Sequence, residues 1–333
     1  MSVQPVRPGD ELDWARTEQH LRSVLDLPAE PMVVGQFTTG HANLTYLLEF
    51  GTLRLVLRRP PRGRLASGAH DMHREYRVLS RLNAVYPRAP YAPHFSDDID
   101  ILGAPFVIIE FRDGEVVGDT LPASMAHHPD VERRLDLALI DAAADLHTLD
   151  VTTVGLADLG RPDGFGDRQV AGWTRRWDRV SSDGQLPLME RVAQRLARTV
   201  PPPPAVSIVH NDLKLDNCQF DPADPDTVTS VFDWDMATIG DPLFDIGSLL
   251  VSMGRSPLWV LSDDEALGRY EKRSGINVGH IDWYVAFAVW RTAVVVRQLA
   301  HRYESGDSAD DRLAGIGAAI GDFAERAWDL LSR

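Results

Sequence analysis

The hydrophobic periodicity of this chain changes once, near Gly114, and that change limits the architectures open to it. Before Gly114, residues 32–37, 44–50 and 53–57 are short apolar runs rich in β-branched and aromatic residues. Gly40 and the Gly51-Thr52 pair punctuate them, which predicts an antiparallel meander. A helical pattern precedes the runs at 10–27 and another follows at 69–82, and residues 106–111 (FVIIEF) form a further buried strand. After Gly114 the spacing is helical over 131–149, 169–180, 186–199, 242–253, 264–274, 283–303 and 310–331. Two short strands, at 207–209 and 228–232, interrupt the series. The expectation is an α+β, bilobal chain: an N-terminal helical segment at 1–30, a small antiparallel β lobe with one helix at 31–113, and a larger, mainly helical lobe at 114–333. Pockets favour such junctions, so a ligand cleft is expected between the lobes.

The chemistry concentrates where the two C-terminal strands end. Ile208-Val209 runs into the polar loop His210-Asn211-Asp212-Leu213-Lys214-Leu215-Asp216-Asn217, and Val231-Phe232 delivers Asp233-Trp234-Asp235. Phosphoryl transfer to an alcohol needs a carboxylate that orients and deprotonates the hydroxyl, together with oxygen ligands for Mg²⁺. Mg²⁺ takes one or two protein carboxylates and completes its shell with water and phosphate oxygens. An isolated Asp-x-x-x-x-Asn is also the signature of a turn with a helix cap. Two flanking apolar strands and the second Asp-rich strand end favour the catalytic reading. His210 reads as a loop anchor bonded to backbone. Lys214 reads as a contact to a γ-phosphate or as a counter-charge for Asp212, and Asp235 as a metal-site helper or a cap on the next turn.

These motifs resemble a known family. HNDLKLDN matches the His-x-Asp-x-x-x-x-Asn loop of eukaryotic-like kinases, and DWD stands in the place of their Asp-Phe-Gly. DWDMATIGDPLFDIGSLL is similar to the corresponding segment of the aminoglycoside phosphotransferase and choline kinase superfamily, which has the protein-kinase-like fold. The resemblance implies Asp212 as catalytic base aided by Lys214, Asn217 and Asp233 as metal ligands, and Asp245 as a buried prop for the loop, with ATP and Mg²⁺ as cofactors. It also places ATP-binding positions at Gly40 and Asn43 in the first turn, at Arg58 with its ion-pair partner Glu75, and along Glu110, Phe111 and Arg112 in the hinge. Arg58 stands where kinases carry Lys. Arg is permanently charged and bidentate toward phosphate, so it can serve.

A narrower resemblance lies in LVLRRPPRGRLASGAHDMHREYRVLSRL and GRPDGFGDRQVAGWTRRW, which look like the kinase-like domains associated with acyl-CoA dehydrogenases. That subgroup implies a hydroxyl on a hydroxyacyl-CoA as the acceptor. Within it Arg58, Arg59, Arg62 and Arg64 make a basic cluster suited to phosphates. Arg168 and Trp173 fall where the superfamily inserts substrate-recognition elements, so both, with Asp235, are substrate candidates. Trp173 and Trp177 also share a helix face, as core residues do.

Composition bounds the rest. The 333 residues carry a formal net charge of −15 and a sequence pI near 5.1. An acidic surface argues against nucleic acid or an anionic membrane as the main partner, because phosphate-backbone binding needs extensive clustered Lys and Arg. The partner expected is a small hydroxylated molecule, with the protein a monomer or homodimer. One cysteine, Cys218, and an N-terminus without an apolar signal core point to the cytoplasm. Residues 283–296 read as a buried helix too short to span a bilayer. Two other functions stay open. One is an aminoglycoside or macrolide phosphotransferase, which the acidic balance would suit. The other is a catalytically silent nucleotide-binding module, which Arg58 in the lysine position would suit. A protein kinase proper is disfavoured, because no Ala-Pro-Glu follows Asp233.

Overall fold

The computed structural model describes residues 3–38, 43–61, 70–181, 186–307 and 310–333. Gly40, Arg62 and Arg64 lie outside the described residues. The N-terminal third contains β1 (Val3–Gln4), α1 (Trp14–Val24), β2 (Val33–Phe37), β3 (Leu44–Phe50), β4 (Leu53–Arg59), α2 (Met72–Leu82), β5 (His94–Ser96), α3 (Ile99–Leu102) and β6 (Phe106–Glu110). Its six strands form one antiparallel sheet in the order β1-β2-β3-β4-β6-β5. One face of the sheet, through Tyr46, Leu48, Leu55, Leu57 and Ile108, packs with Leu21 of α1 and Leu102 of α3 into a separate small core. Helix α1 is shorter than the sequence pattern suggests. Asp13 caps it by accepting from the Arg16 amide at 3.0 Å, and the chain turns extended at Leu25.

The remainder contains β7 (Glu115–Val116), α4 (Val131–His147), α5 (Phe165–Asp178), α6 (Pro187–Arg198), β8 (Ser207–Val209), β9 (Cys218–Asp221), β10 (Asp224–Val231), β11 (Thr238–Gly240), α7 (Leu243–Met253), α8 (Asp263–Ser274), α9 (Ile281–Glu304) and α10 (Ile320–Leu330). This is the bilobal kinase-like arrangement, a small antiparallel lobe on a larger helical one. Strands β8 and β11 pair antiparallel, and β9 pairs with both β7 and β10. The catalytic-loop sequence therefore sits between two small sheets that fix both its ends. Strands of two or three residues such as β5, β7 and β11 leave no readable period, which is why the sequence pattern passes over them.

The last predicted helix, 310–331, is a correction. Residues Asp311–Leu313 and Ile316–Ala319 form 3-10 turns, and the α-helix begins only at Ile320. Gly315 sits in the left-handed region at φ 74°, where a helix cannot continue. The apolar helix near 283–296 is α9. It buries Trp283, Tyr284, Phe287 and Trp290 in the main core, packed against α7 and α10. Among the described residues no helix is long and apolar enough to cross a membrane.

Two positions in this framework have measurable consequences. A Cβ on Gly247 of α7 would lie 2.7 Å from the Tyr284 carbonyl carbon, so α7 and α9 meet backbone to backbone here. Gly247→Ala is expected to lose about 1–3 kcal/mol of stability through overpacking, read as a lower urea midpoint. An unchanged midpoint would show that the helices separate freely.

Asp136 of α4 is buried and accepts from the Val260 and Leu261 amides at 2.8 and 3.3 Å, while its Oδ1 has no hydrogen-bond partner among the described residues. Burial pushes its carboxyl up to about 6, against an ordinary 3.8, with those two hydrogen bonds opposing the shift. The native state thus favours the protonated acid. The stability this contributes is complete below about pH 4 and is lost as the pH rises through 6. Asp136→Asn is expected to flatten the pH dependence of unfolding between those limits, where one proton is worth at most about 1.4 kcal/mol per pH unit. An identical slope in the variant would remove Asp136 as its source.

Candidate active site

Strand β8 ends at Val209 and the chain enters the loop with its backbone already fastened. Asp245, buried near the start of α7, accepts from the His210 amide at 2.6 Å and from the Asn211 amide at 2.7 Å. His147 of α4 lies 3.2 Å from the same carboxylate and is itself bonded to the Tyr270 hydroxyl at 2.8 Å. Burial works to raise the Asp245 carboxyl, but the His147 and His210 contacts hold it below the ordinary range. Both nitrogens of His210 are committed to backbone. Nε2 donates to the Phe232 carbonyl at 2.8 Å, and Nδ1 accepts from the Asp212 amide at 3.3 Å. Asn211, at φ 70°, takes a left-handed conformation unusual for a residue with a side chain.

Asp212 emerges from this support with its carboxylate partly open to solvent. Asn217, on the 3-10 turn Leu215–Asn217, donates through Nδ2 to the Asp212 carbonyl at 2.7 Å and to Asp212 Oδ2 at 2.8 Å. Lys214 Nζ lies 3.4 Å from Asp212 Oδ2 and 3.5 Å from Asp216. Burial lowers the Lys214 ammonium and the two aspartates raise it, with the aspartates prevailing, so it stays cationic. The Asn217 carbonyl accepts from the Phe232 amide at 2.8 Å, which couples the loop to the strand leading into Asp233.

Asp233 sits at φ 68°, ψ 60°, a left-handed conformation that costs a non-glycine residue about 1 kcal/mol and is held by its surroundings. The principal hold is Arg58 of β4. Its guanidinium donates to Asp233 Oδ1 at 2.7 Å and also pairs with the buried Glu75 of α2. Burial alone would raise the Asp233 carboxyl, yet the Arg58 charge and hydrogen bond hold it below the ordinary range. Asp235 goes the other way: burial, then the neighbouring Asp233 charge, pushes it up. Glu75 is also raised, to about 7, chiefly by burial and against the pull of Arg58. From β3's first turn, Asn43 reaches Asp235 Oδ2 at 3.5 Å and His70 Nδ1 at 2.8 Å. Glu75, Arg58 and Asp233 thus form one bonded group and His70, Asn43 and Asp235 a second, and the two feel each other through the charges of Arg58, Asp233 and Asp235.

At the end of β6, Glu110 and Arg112 pair with each other. Phe111 lies between the Phe37 ring, stacked at 6.5 Å, and the Arg54 guanidinium at 4.2 Å. Arg168 donates to the Arg161 and Asp163 carbonyls ahead of α5. Trp173 is half-buried under two cations, Arg176 at 4.2 Å and Arg291 at 5.8 Å. Cys218 is a buried free thiol, pushed up by its burial, and lies on β9 away from the loop's polar face.

A cavity of about 190 Å³ opens beside Asp212, lined by Lys214, Ser248, Ser252, Arg255, Arg291 and Thr292 among others. A second space of about 300 Å³, beside Gly118, Asp119 and Asp216, shares Lys214, Ser252 and Arg255 with it. The sequence reading passed over Arg255 and Arg291. One signal was present for Arg291: it interrupts an apolar helix with no acidic residue at the preceding or following three or four positions.

A loop of this form, with Asp212 and Asn217 tied through the Phe232 amide to the strand end that carries Asp233, defines a phosphotransferase acting on hydroxyl groups of small molecules. The chain belongs to the phosphotransferase enzyme family, whose family model matches residues 33–284. It is 28% identical over 350 residues to acyl-CoA dehydrogenase family member 10 of Mus musculus, a match covering 100% of this chain but only 32% of that protein's length. Among solved structures, one from Ralstonia eutropha with a provisional aminoglycoside phosphotransferase designation superposes with a TM-score of 0.83. It shares 27% identity and the match covers 97% of this chain and 99% of the other. The aminoglycoside phosphotransferase APH(4)-Ia, in a ternary complex with AMP-PNP and hygromycin B, has a TM-score of 0.61 at 14% identity, covering 93% and 97%, and shares the fold.

Proposed function

We propose that the chain is an ATP- and Mg²⁺-dependent O-phosphotransferase whose acceptor is a hydroxylated metabolite of the hydroxyacyl-CoA type. The observation that carries this reading is the position of Asp212. Its carboxylate borders a cavity on one side, while Asn217 holds it on the other. In this reading residues 31–113 hold the nucleotide and residues 114–333 supply the catalytic groups and the acceptor pocket.

The donor set fits a hard cation. Asn217 uses only its Nδ2 in hydrogen bonds, so its Oδ1 makes none among the described residues, and Asp233 gives only Oδ1 to Arg58. No group of three or more His, Cys, Asp or Glu suited to a metal occurs among the described residues. One carboxylate and one amide oxygen suit an ion completing its shell with phosphate oxygens and water. Bound there by Asn217 and Asp233, Mg²⁺ would neutralise charge on the nucleotide phosphates.

The chain's own residues do the rest. Asp212 accepts the hydroxyl proton as the acceptor oxygen bonds to the γ-phosphorus and the bond to the leaving diphosphate breaks. Lys214 lies close enough to Asp212 to steady its charge before that transfer and to meet a phosphate oxygen. Arg58, permanently charged and braced by Glu75, contributes a fixed cation on the nucleotide side, with Asn43, Glu110, Phe111 and Arg112 bordering the same lobe. The acyl-CoA assignment is supported by the similarity, along the whole of this chain, to a part spanning 32% of acyl-CoA dehydrogenase family member 10.

The test is an ADP-release screen across hydroxyacyl-CoAs, aminoglycosides, macrolides, choline and sugars. Hydroxyacyl-CoAs are expected to give saturable, Mg²⁺-dependent turnover. Turnover with an antibiotic alone would replace the acceptor, and ATP binding without turnover on any acceptor would support the silent module.

A further inference from the structure

The walls of the acceptor cavity carry cations without partners. Arg291, from α9, and Arg255, just beyond the end of α7, both line the space beside Asp212. Neither side chain forms a salt bridge or a hydrogen bond among the described residues. Their contacts are with rings: Arg291 with Trp173 at 5.8 Å, and Arg255 with Phe323 at 5.0 Å. Arg176 covers the Trp173 ring too, at 4.2 Å, so a second guanidinium stands behind the first. Burial lowers the Arg291 guanidinium from its ordinary value, with Asp212 and Asp245 opposing and Arg176 adding to the shift.

Arg291 is partly buried, and taking a guanidinium out of water without a counter-charge is costly, whereas Arg255 is exposed and carries no such cost. Elsewhere in this chain Arg58, Arg88, Arg269 and Arg273 are each paired with a carboxylate. The neutral groups of the wall do not offset the charge. Ser248, Ser252 and Thr292 each donate back to a carbonyl of their own helix, at 2.7, 3.1 and 2.9 Å. The donors left facing the cavity are therefore those of Arg255, Arg291 and Lys214. Among the described residues, the only carboxylate lining the 190 Å³ space is Asp212 itself. In a chain of net charge −15, this cationic pocket runs against the global balance.

We propose that Arg291 and Arg255 form an anion-binding subsite within the acceptor cavity, so that the acceptor is a hydroxylated anion. The inference rests on the phosphotransferase reading for the role of the bound molecule, but the anion subsite itself does not need turnover. Two sources share the chemistry of anionic oxygens: a carboxylate on the acceptor, or the phosphates of a CoA thioester extending through the second space that Arg255 also lines. Arg291 then decides specificity by orienting the acceptor, and a polycationic aminoglycoside meets like charge.

The experiment uses the full chain and three forms of one medium-chain hydroxy acid: the free acid, its CoA thioester and its neutral methyl ester. Binding is measured by calorimetry on Asp212→Asn, which separates binding from turnover, and steady-state ADP release is measured on the native protein. The anionic forms are expected to bind at least tenfold more tightly than the methyl ester, with affinity falling as salt rises. A preference for the free acid assigns the subsite to a carboxylate, and a preference for the thioester assigns it to the CoA phosphates. Arg291→Gln is expected to raise KM for the preferred anion at least tenfold and leave the methyl ester within twofold. Arg291→Lys keeps the charge and should recover most of the loss, while matching melting curves show that the variants fold. Equal binding of all three forms, or an Arg291→Gln variant with unchanged KM, overturns the subsite. Saturable, Arg291-dependent anion binding without any turnover keeps the subsite and instead overturns phosphoryl transfer. Tight binding of an aminoglycoside with no anion binding overturns the subsite while leaving phosphoryl transfer standing.

Discussion

Asp212→Asn is expected to lower the rate of phosphoryl transfer by about 10²–10⁴-fold while leaving the fold and nucleotide affinity close to native. A positioned general base contributes in that range. The asparagine keeps the shape of the side chain, and its carbonyl oxygen can still accept from Asn217 Nδ2, which now bonds Asp212 Oδ2 at 2.8 Å. What is lost is the negative charge and the basic oxygen that face the cavity, together with the counter-charge for Lys214 at 3.4 Å. The loss should therefore appear in kcat, with little change in the KM for ATP. Single-turnover phosphorylation of the best acceptor from the screen, with nucleotide binding followed by calorimetry, measures both. A variant retaining more than a tenth of native kcat would show that Asp212 is not the base.

The second large effect is structural and lies beneath the first. Asp245→Ala is expected to destabilise the protein by about 3–5 kcal/mol, the range seen when one partner of a buried charged network is removed. Three donors converge on that carboxylate: the His210 amide, the Asn211 amide and His147 Nε2. All three would be left in a buried site, and an unpaired buried donor costs about 1–3 kcal/mol. Asp245→Asn, nearly isosteric, should also destabilise, because an NH₂ group would then face one of those donors. Urea unfolding at pH 7 measures both variants, and a loss below about 1 kcal/mol in Asp245→Ala would show that water or a local shift satisfies the loop. The Asp245 carboxyl is held below the ordinary range, so its stabilising contribution is present at neutral pH and lost as the pH falls through its folded-state value.

Much of the fold was legible in local pattern. Strand β3 at Leu44–Phe50 and strand β8 at Ser207–Val209 match the expected runs, because β-branched and aromatic alternation is a local signal. Helix α8 differs by one residue at its start, where Ser262 and Glu265 form a capping box. The failures share a cause. Residues 310–319 keep apolar residues at helical spacing, yet Gly315 at a left-handed φ breaks the helix, and backbone conformation outweighs side-chain pattern there. In the candidate site, Asp212, Asn217 and Asp233 were readable because strand ends deliver them within one short stretch. Arg168 also lay in a suggestive segment, but the structure turns it toward the carbonyls of Arg161 and Asp163 rather than into the cavity.

The sequence alone determined that a small antiparallel sheet precedes a helical lobe, and that an Asp-x-x-x-x-Asn loop and a later Asp stand at neighbouring strand ends. Those features depend on spacing along the chain, which the order of residues states directly. The tertiary structure alone decided that Arg58 would bridge Glu75 and Asp233, and that Arg255 and Arg291 would face Asp212 across one cavity. A helical period tells which residues share a face. It does not tell what that face meets, and the charge of a pocket depends on helices that come together only when α7 and α9 pack beside the loop.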